Sequence, residues 1–188
     1  MNKPYIGVFG SAFDPPTLGH LDVLQQAVDH FDRILLVPSA SHAFSKKSQS
    51  FLTRLALLNV FVDAISIDAV LEVCDLEAKM LQQSPGKPVY TFDVLKELEK
   101  SYRGSVNLSF IRGPDNAESE VWSRFYKAEE IEQRWPIFTA KERVDIRSSK
   151  VRSILGSIVA DGNNTLDDLL LPTVKNFIRQ HKLYQGNL

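Results

Sequence analysis

The chain has 188 residues and is 44% hydrophobic, which gives it the size and apolar content of one folded domain and excludes a disordered or fibrous protein. Its formal net charge of -1 offers no global attraction for nucleic acid or an anionic membrane surface, so any phosphate-binding site must be local. The single cysteine, Cys74, excludes an internal disulfide and fits a reducing compartment. No secretory pattern opens the sequence and no apolar stretch approaches the roughly 18 residues of a membrane span, so a soluble, cytoplasmic globular protein is expected.

In chain order, Tyr5 to Phe9 is a short apolar run between Pro4 and Gly10 and predicts a buried strand. Leu18 to Phe31 has helical spacing at Leu21, Leu24, Ala27, Val28 and Phe31. Ile34 to Pro38 is a second buried strand, so these segments form a βαβ unit with a right-handed crossover. Residues 39–50 are polar, carry His42, Lys46 and Lys47, and read as a loop over the carboxyl edge of the sheet. Phe51 to Asp63 predicts a helix with Leu52, Leu55, Leu58 and Val62 on or near its apolar face. Ile65 to Val73 predicts a third strand, and Leu76 to Pro88 a connection. Thr91 is a candidate N-cap for a helix to Tyr102. Val106 to Ile111 predicts a fourth strand, ending in Arg112-Gly113-Pro114-Asp115. A helical segment around Glu118 to Gln133 follows, with Trp122, Phe125 and Tyr126. Pro136 to Ala140 is a fifth strand, Ser148 or Ser149 caps a helix through Leu155, and Pro172 to His181 is the final helix.

Strand and helix alternate without repeat or linker. The expectation is a single α/β domain over 1–188, a doubly wound, Rossmann-like parallel sheet flanked by helices. Ligands bind such sheets at the carboxyl ends of the strands, which selects the loops 10–20, 39–50 and 112–116, joined by the turn at 146–152. The first of these stands out. A strand stops at Gly10 and the chain passes Pro15 and Pro16 into a helix that starts near Gly19 and His20. A helix N-terminus presents unpaired N–H groups and a favourable dipole to an anion.

Gly10-Ser11-Ala12-Phe13-Asp14-Pro15-Pro16-Thr17-Leu18-Gly19-His20 resembles, without a gap, the signature G-[GS]-x-F-[DN]-P-x-[TH]-x-G-H of the nucleotidyltransferase superfamily. Ile146-Arg147-Ser148-Ser149-Lys150-Val151-Arg152 is similar to its second signature, I-S-S-T-x-[IV]-R, with Arg147 at the first serine and Ser149 at the threonine. Within the superfamily the chain most resembles the nicotinate mononucleotide adenylyltransferase family. The lysine loop resembles that family's P-x-x-x-P-H-K segment with its basic residues displaced. Tyr90-Thr91-Phe92-Asp93-Val94-Leu95 resembles its Y-T-x-D-T-L helix start, Gly113-Pro114-Asp115 its G-x-D turn, and Phe125 to Ile131 its tryptophan-containing segment, with Phe125 or Trp122 in the tryptophan's role. The ending from Leu171 to Tyr184 is similar as well.

The resemblance implies attack of a mononucleotide phosphate on the α-phosphorus of ATP, with release of pyrophosphate and no covalent enzyme intermediate. A phosphate is already ionised near neutrality, so no general base is needed. On this resemblance His20, Thr17, Lys46 and Arg152 carry catalysis. Gly10, Ser11, Phe13, Gly19, His20, Lys47, Gly113, Asp115, Ile146, Ser148, Ser149 and Arg152 bind ATP. Ala12, Phe13, Asp14, Tyr90, Thr91, Trp122 and Phe125 hold the mononucleotide. Mg²⁺ is implied as the cofactor, bridging phosphate oxygens without a carboxylate cage. ATP and nicotinate mononucleotide are the implied partners; no nucleic acid or membrane is, and a homo-oligomer is left open. Asp115 also reads as an N-cap, while His30, His181 and Cys74 read as structural. Other readings on the same fold are transfer to nicotinamide mononucleotide or to phosphopantetheine, and a non-catalytic nucleotide sensor, which the presence of His20 disfavours.

Overall fold

The computed structural model describes residues 2–40, 48–157 and 166–185. Its centre is a five-stranded sheet in the order β3-β2-β1-β4-β5. The strands are β1 (Tyr5–Ser11), β2 (Arg33–Pro38), β3 (Val70–Val73), β4 (Asn107–Arg112) and β5 (Ile137–Thr139). Every pairing is parallel. The order grows outward from β1 in one direction through β2 and β3, then restarts on its other side with β4. The switch point lies between β1 and β4, and this is where parallel sheets open a crevice.

The sheet is covered on both faces, which is why its strands read as continuous apolar runs. Alternation sorts them: Ile34 and Leu36 of β2 enter one core cluster, Leu35 and Val37 the other. The first cluster is closed by α1 (Leu18–Ala27), α2 (Phe51–Asp63), α7 (Ser148–Gly156) and α8 (Pro172–Gln180). The second is closed by α3 (Leu76–Gln83), α4 (Thr91–Tyr102), α5 (Ser119–Trp122) and α6 (Ala128–Arg134). Fully burying one leucine or phenylalanine is worth about 1.5–3 kcal/mol, so these layers outweigh any single polar contact in holding the sheet. Among the described residues no helix is long and apolar enough to cross a membrane.

The doubly wound α/β architecture is as expected; several local features differ. The third strand is only Val70–Val73, because residues 65–69 are needed to carry the chain from α2 back to the start of the sheet. Ile65, Ile67 and Ala69 still pack on the core there without joining a ladder. The expected connection at 76–88 holds α3, whose Leu76 and Met80, one turn apart, pack against the second cluster. The helix expected over 118–133 is broken into α5 and α6 with Lys127 at positive φ between them. The buried face of α2 is Arg54, Leu57, Leu58 and Phe61, and Leu52 is 75% exposed.

Candidate active site

A cleft of about 290 Å³ opens at the switch point. Its walls come from the end of β1, the first turn of α1, the turn after β4 and the start of α7. Two helix N-termini therefore face one space, and their unpaired N–H groups favour an anion there. Gly19 brings them together. A Cβ at that position would lie 2.4 Å from the carbonyl oxygen of Ile146, so only glycine lets α1 approach the segment that feeds α7.

His20 sits at the third position of α1 and is half-buried in the cleft wall. Its Nδ1 accepts a hydrogen bond from the Thr17 backbone N–H at 3.1 Å and lies 3.0 Å from the Thr17 hydroxyl. A backbone N–H can donate only to an unprotonated nitrogen, so the neutral ring carries its proton on Nε2. Nε2 is 3.1 Å from Ser11 Oγ, which also lines the cleft. Burial, and then the neighbouring Arg147 cation, push the His20 pKa down from 6.5 to about 4. Near neutrality His20 is thus an uncharged donor with a fixed tautomer. The Phe13 ring, 4.9 Å from the imidazole and fully buried, packs behind it.

Of the residues expected to bind ATP, Gly10, Ser11, Gly19, His20, Gly113, Asp115, Ile146, Ser148, Ser149 and Arg152 line the cleft. Other expectations are corrected. Thr17 is fully buried, and its hydroxyl meets His20 Nδ1, so it orients the imidazole from behind and does not reach the cleft. The Phe13 side chain is in the core and the Asp14 carboxylate is 2% exposed, engaged by Tyr184, Ser48 and Gln49, so neither side chain is available to a mononucleotide. Ala12 is outside the cleft, and its carbonyl accepts from Arg54. The N-cap of α4 is Tyr90 and not Thr91: the Tyr90 N–H donates to the Asp93 carboxylate, 3.3 Å away. The N-cap of α7 is Arg147, while the Ser148 hydroxyl donates to the Pro15 carbonyl at 2.8 Å. Asp115 caps no α-helix and pairs with Arg147 at 2.6 Å. Lys46 and Lys47 lie outside the described residues, as does His42.

Tyr90, Thr91, Trp122 and Phe125 do not line the cleft. Trp122 is buried, 4.8 Å from the Phe125 ring and with the Arg112 guanidinium 4.7 Å above it. Tyr90 and Tyr126 are exposed, with their rings 4.6 Å apart.

Three residues unforeseen in the sequence shape the site. Arg147 lines the cleft between the carboxylates of Asp115, Glu142 and Asp145. Arg143 pairs with Asp22 at 2.6 Å on the same wall. Arg54 is completely buried, and its guanidinium donates to the carbonyls of Ala12 and Ser39 at 2.7 Å and of Gln49 at 3.2 Å. It ties the loop after β1 to the loop after β2. The signal for Arg54 was present: it stands at the i, i+3, i+4, i+7 spacing of Leu57, Leu58 and Phe61, an arginine in an apolar stripe.

The cytidylyltransferase-like family matches residues 8–154, a span that holds both helix starts of the cleft. The chain belongs to this family. Among curated relatives of this cytidylyltransferase-like chain, a probable nicotinate-nucleotide adenylyltransferase of Dehalococcoides mccartyi is 26% identical, the match covering 95% of this chain and 96% of that protein. Among solved structures, a putative nicotinate-nucleotide adenylyltransferase from Vibrio parahaemolyticus is 30% identical with a TM-score of 0.78, covering 96% of this chain and 95% of that one. The nicotinic acid mononucleotide adenylyltransferase of Plasmodium falciparum, solved with NaAD, has a TM-score of 0.71 at 20% identity over 96% and 97% of the two chains, a likeness of fold.

Proposed function

We propose that this chain is a nicotinate-nucleotide adenylyltransferase of NAD biosynthesis, a single nucleotidyltransferase domain acting in the cytoplasm. It joins ATP and nicotinate mononucleotide to give deamido-NAD and pyrophosphate. The observation that carries the reading is the neutral, Nε2-protonated His20 at the meeting of two helix N-termini, in a family of nucleotidyltransferases.

In this reading a phosphate oxygen of the mononucleotide forms a bond to the α-phosphorus as the bond to the bridging oxygen of the β-phosphate breaks. The departing pyrophosphate takes the electron pair. His20 donates from Nε2 to the α-phosphate or bridging oxygen, where negative charge grows. Because the tautomer is already set by the Thr17 N–H, the Nε2 proton needs only to exchange the Ser11 hydroxyl for the phosphate oxygen. The start of α7 with Ser148, Ser149 and Arg152 holds the β- and γ-phosphates, and either Lys46 or Lys47 adds charge. Asp115 and the Gly113 turn face the ribose. Tyr90 and its neighbours around Phe125 offer the surface for the pyridine ring. Mg²⁺ would be carried mainly by the nucleotide's phosphates, where it would screen their charge. The donor set fits that mode, because the two cleft carboxylates, Asp22 and Asp115, are already paired with Arg143 and Arg147.

The test is product formation by mass spectrometry from ATP and Mg²⁺ with nicotinate mononucleotide, nicotinamide mononucleotide or phosphopantetheine. Deamido-NAD and pyrophosphate, formed faster than the other products, support the reading. A preference for another acceptor reassigns the substrate, and no product with any acceptor overturns the enzyme reading in favour of a nucleotide-binding sensor.

A further inference from the structure

Tyr184 lies in the turn after α8 at a φ of 62°, yet its side chain is 2% exposed. A bulky residue in the left-handed region is uncommon and persists only when its surroundings hold it. Its ring sits in the first core cluster, and its hydroxyl donates to Asp14 Oδ1 at 2.6 Å. Asp14 is as deeply buried. Its Oδ2 accepts from the Ser48 hydroxyl at 2.7 Å, and the Gln49 N–H approaches Oδ1 at 3.4 Å. The backbone carbonyl of Asp14 accepts from Arg152 at 2.6 Å. One residue thus joins the turn after α8, the stem of the loop after β2 and the arginine that lines the cleft. Burial and the Asp14 charge push the Tyr184 hydroxyl far above the usual tyrosine range, so it remains a donor at any working pH.

A buried carboxylate must have its lone pairs met. Without the Tyr184 hydroxyl, Asp14 Oδ1 retains only the long contact to the Gln49 N–H. Arg54 is held by its three carbonyls and Arg152 by the Asp14 carbonyl, so a shift of Asp14 toward a new partner moves the anchor of Arg152 with it. An Arg152 whose carbonyl anchor moves is no longer held in place at the cleft wall.

We propose that Tyr184 is a positioning residue for nucleotide binding: its hydroxyl satisfies Asp14 and thereby keeps the Arg152 guanidinium at the cleft. The proposal rests on the reading that this cleft takes the triphosphate of ATP. It concerns binding and is separate from which acceptor reacts.

The test is a double-mutant cycle in the full chain, with Tyr184→Phe, which keeps the ring volume, and Arg152→Lys. ATP affinity is read by titration calorimetry with Mg²⁺, and Tm is read alongside. Tyr184→Phe is expected to weaken ATP about tenfold in the wild-type background, the size of one hydrogen bond to a buried charge. In the Arg152→Lys background it is expected to weaken ATP no further. Unchanged ATP affinity in Tyr184→Phe overturns the proposal, even with a lowered Tm, since the hydroxyl is then only structural. Equal weakening in both backgrounds also overturns it, because the effect then bypasses Arg152. ATP binding without adenylyl transfer strikes the proposed activity and leaves this result standing; a chain that binds no ATP overturns both.

Discussion

The cleft at the switch point and the aromatic lobe over α4, α5 and α6 occupy the same molecule and are built on opposite principles. Around the cleft, polar side chains are fixed by backbone groups. Arg54 holds three carbonyls, Ser148 holds Pro15, Arg152 holds Asp14, and the Thr17 N–H holds His20. In the lobe, rings are packed on rings: Trp122 lies 6.0 Å from Phe110 and 4.8 Å from Phe125, and the Phe92 and Trp135 rings are 5.7 Å apart. The indole nitrogens of Trp122 and Trp135 are buried with no hydrogen-bond partner among the described residues. Hydrogen bonds fix angles and tautomers, whereas apolar contacts fix volume and tolerate re-packing. A reaction that consists of aligning two anions needs the first kind of construction where phosphorus is attacked. The second kind suffices for supporting a flat ring.

The comparison is broken most directly by His20→Ala. Loss of one preorganised donor to the charge that develops at phosphorus is expected to lower kcat by about 10²–10³-fold, with ATP affinity nearly kept. Steady-state kinetics and calorimetry check this, and unchanged turnover would remove His20 from the chemistry. Next in size is a contrast between the regions. Arg54→Met leaves three buried carbonyls without a donor and is expected to cost about 3 kcal/mol or more in guanidinium unfolding, with loss of ATP affinity. Trp122→Phe removes ring volume together with an unpaired N–H and is expected to cost about 1 kcal/mol, with ATP affinity intact. Equal costs would mean that the two regions do not differ as described.

The same contrast explains what could be read in the sequence. The strands and the start of α1 were legible because apolar runs, the turn at Gly10 and the helix spacing from Leu18 are local signals. The line-up of Gly19 and His20 with Ser148 and Arg152 was legible because both segments are signatures at helix starts. The inward turn of Thr17 was not, because a threonine hydroxyl in a motif looks the same whether it faces ligand or imidazole. The burial of Asp14 depends on Tyr184, 170 positions away, which no local pattern encodes. Leu52 and Arg54 show the limit of apolar counting: the leucine is 75% exposed and the arginine is buried, since the partners of a guanidinium were carbonyls of two distant loops. Arg147 looked like a departure from a serine pattern, and it places a cation beside His20.

That cation yields the finest test of the cleft's construction. With the His20 pKa lowered to about 4 by burial and by Arg147, the folded protein releases a proton that the unfolded chain holds up to pH 6.5. The unfolded state binds more protons in this window, so the contribution of His20 to stability is complete above pH 6.5 and declines as pH falls toward 4. The His20 imidazole, followed by NMR in the unliganded protein, is therefore expected to stay neutral through pH 5, with its proton on Nε2. Arg147→Ala removes the nearby positive charge and is expected to shift the titration upward, though still below 6.5, because burial is the larger cause. A titration at 6.5 in the wild-type protein would show that the imidazole is solvated, and the fixed tautomer that sets the cleft apart from the aromatic lobe would fall with it.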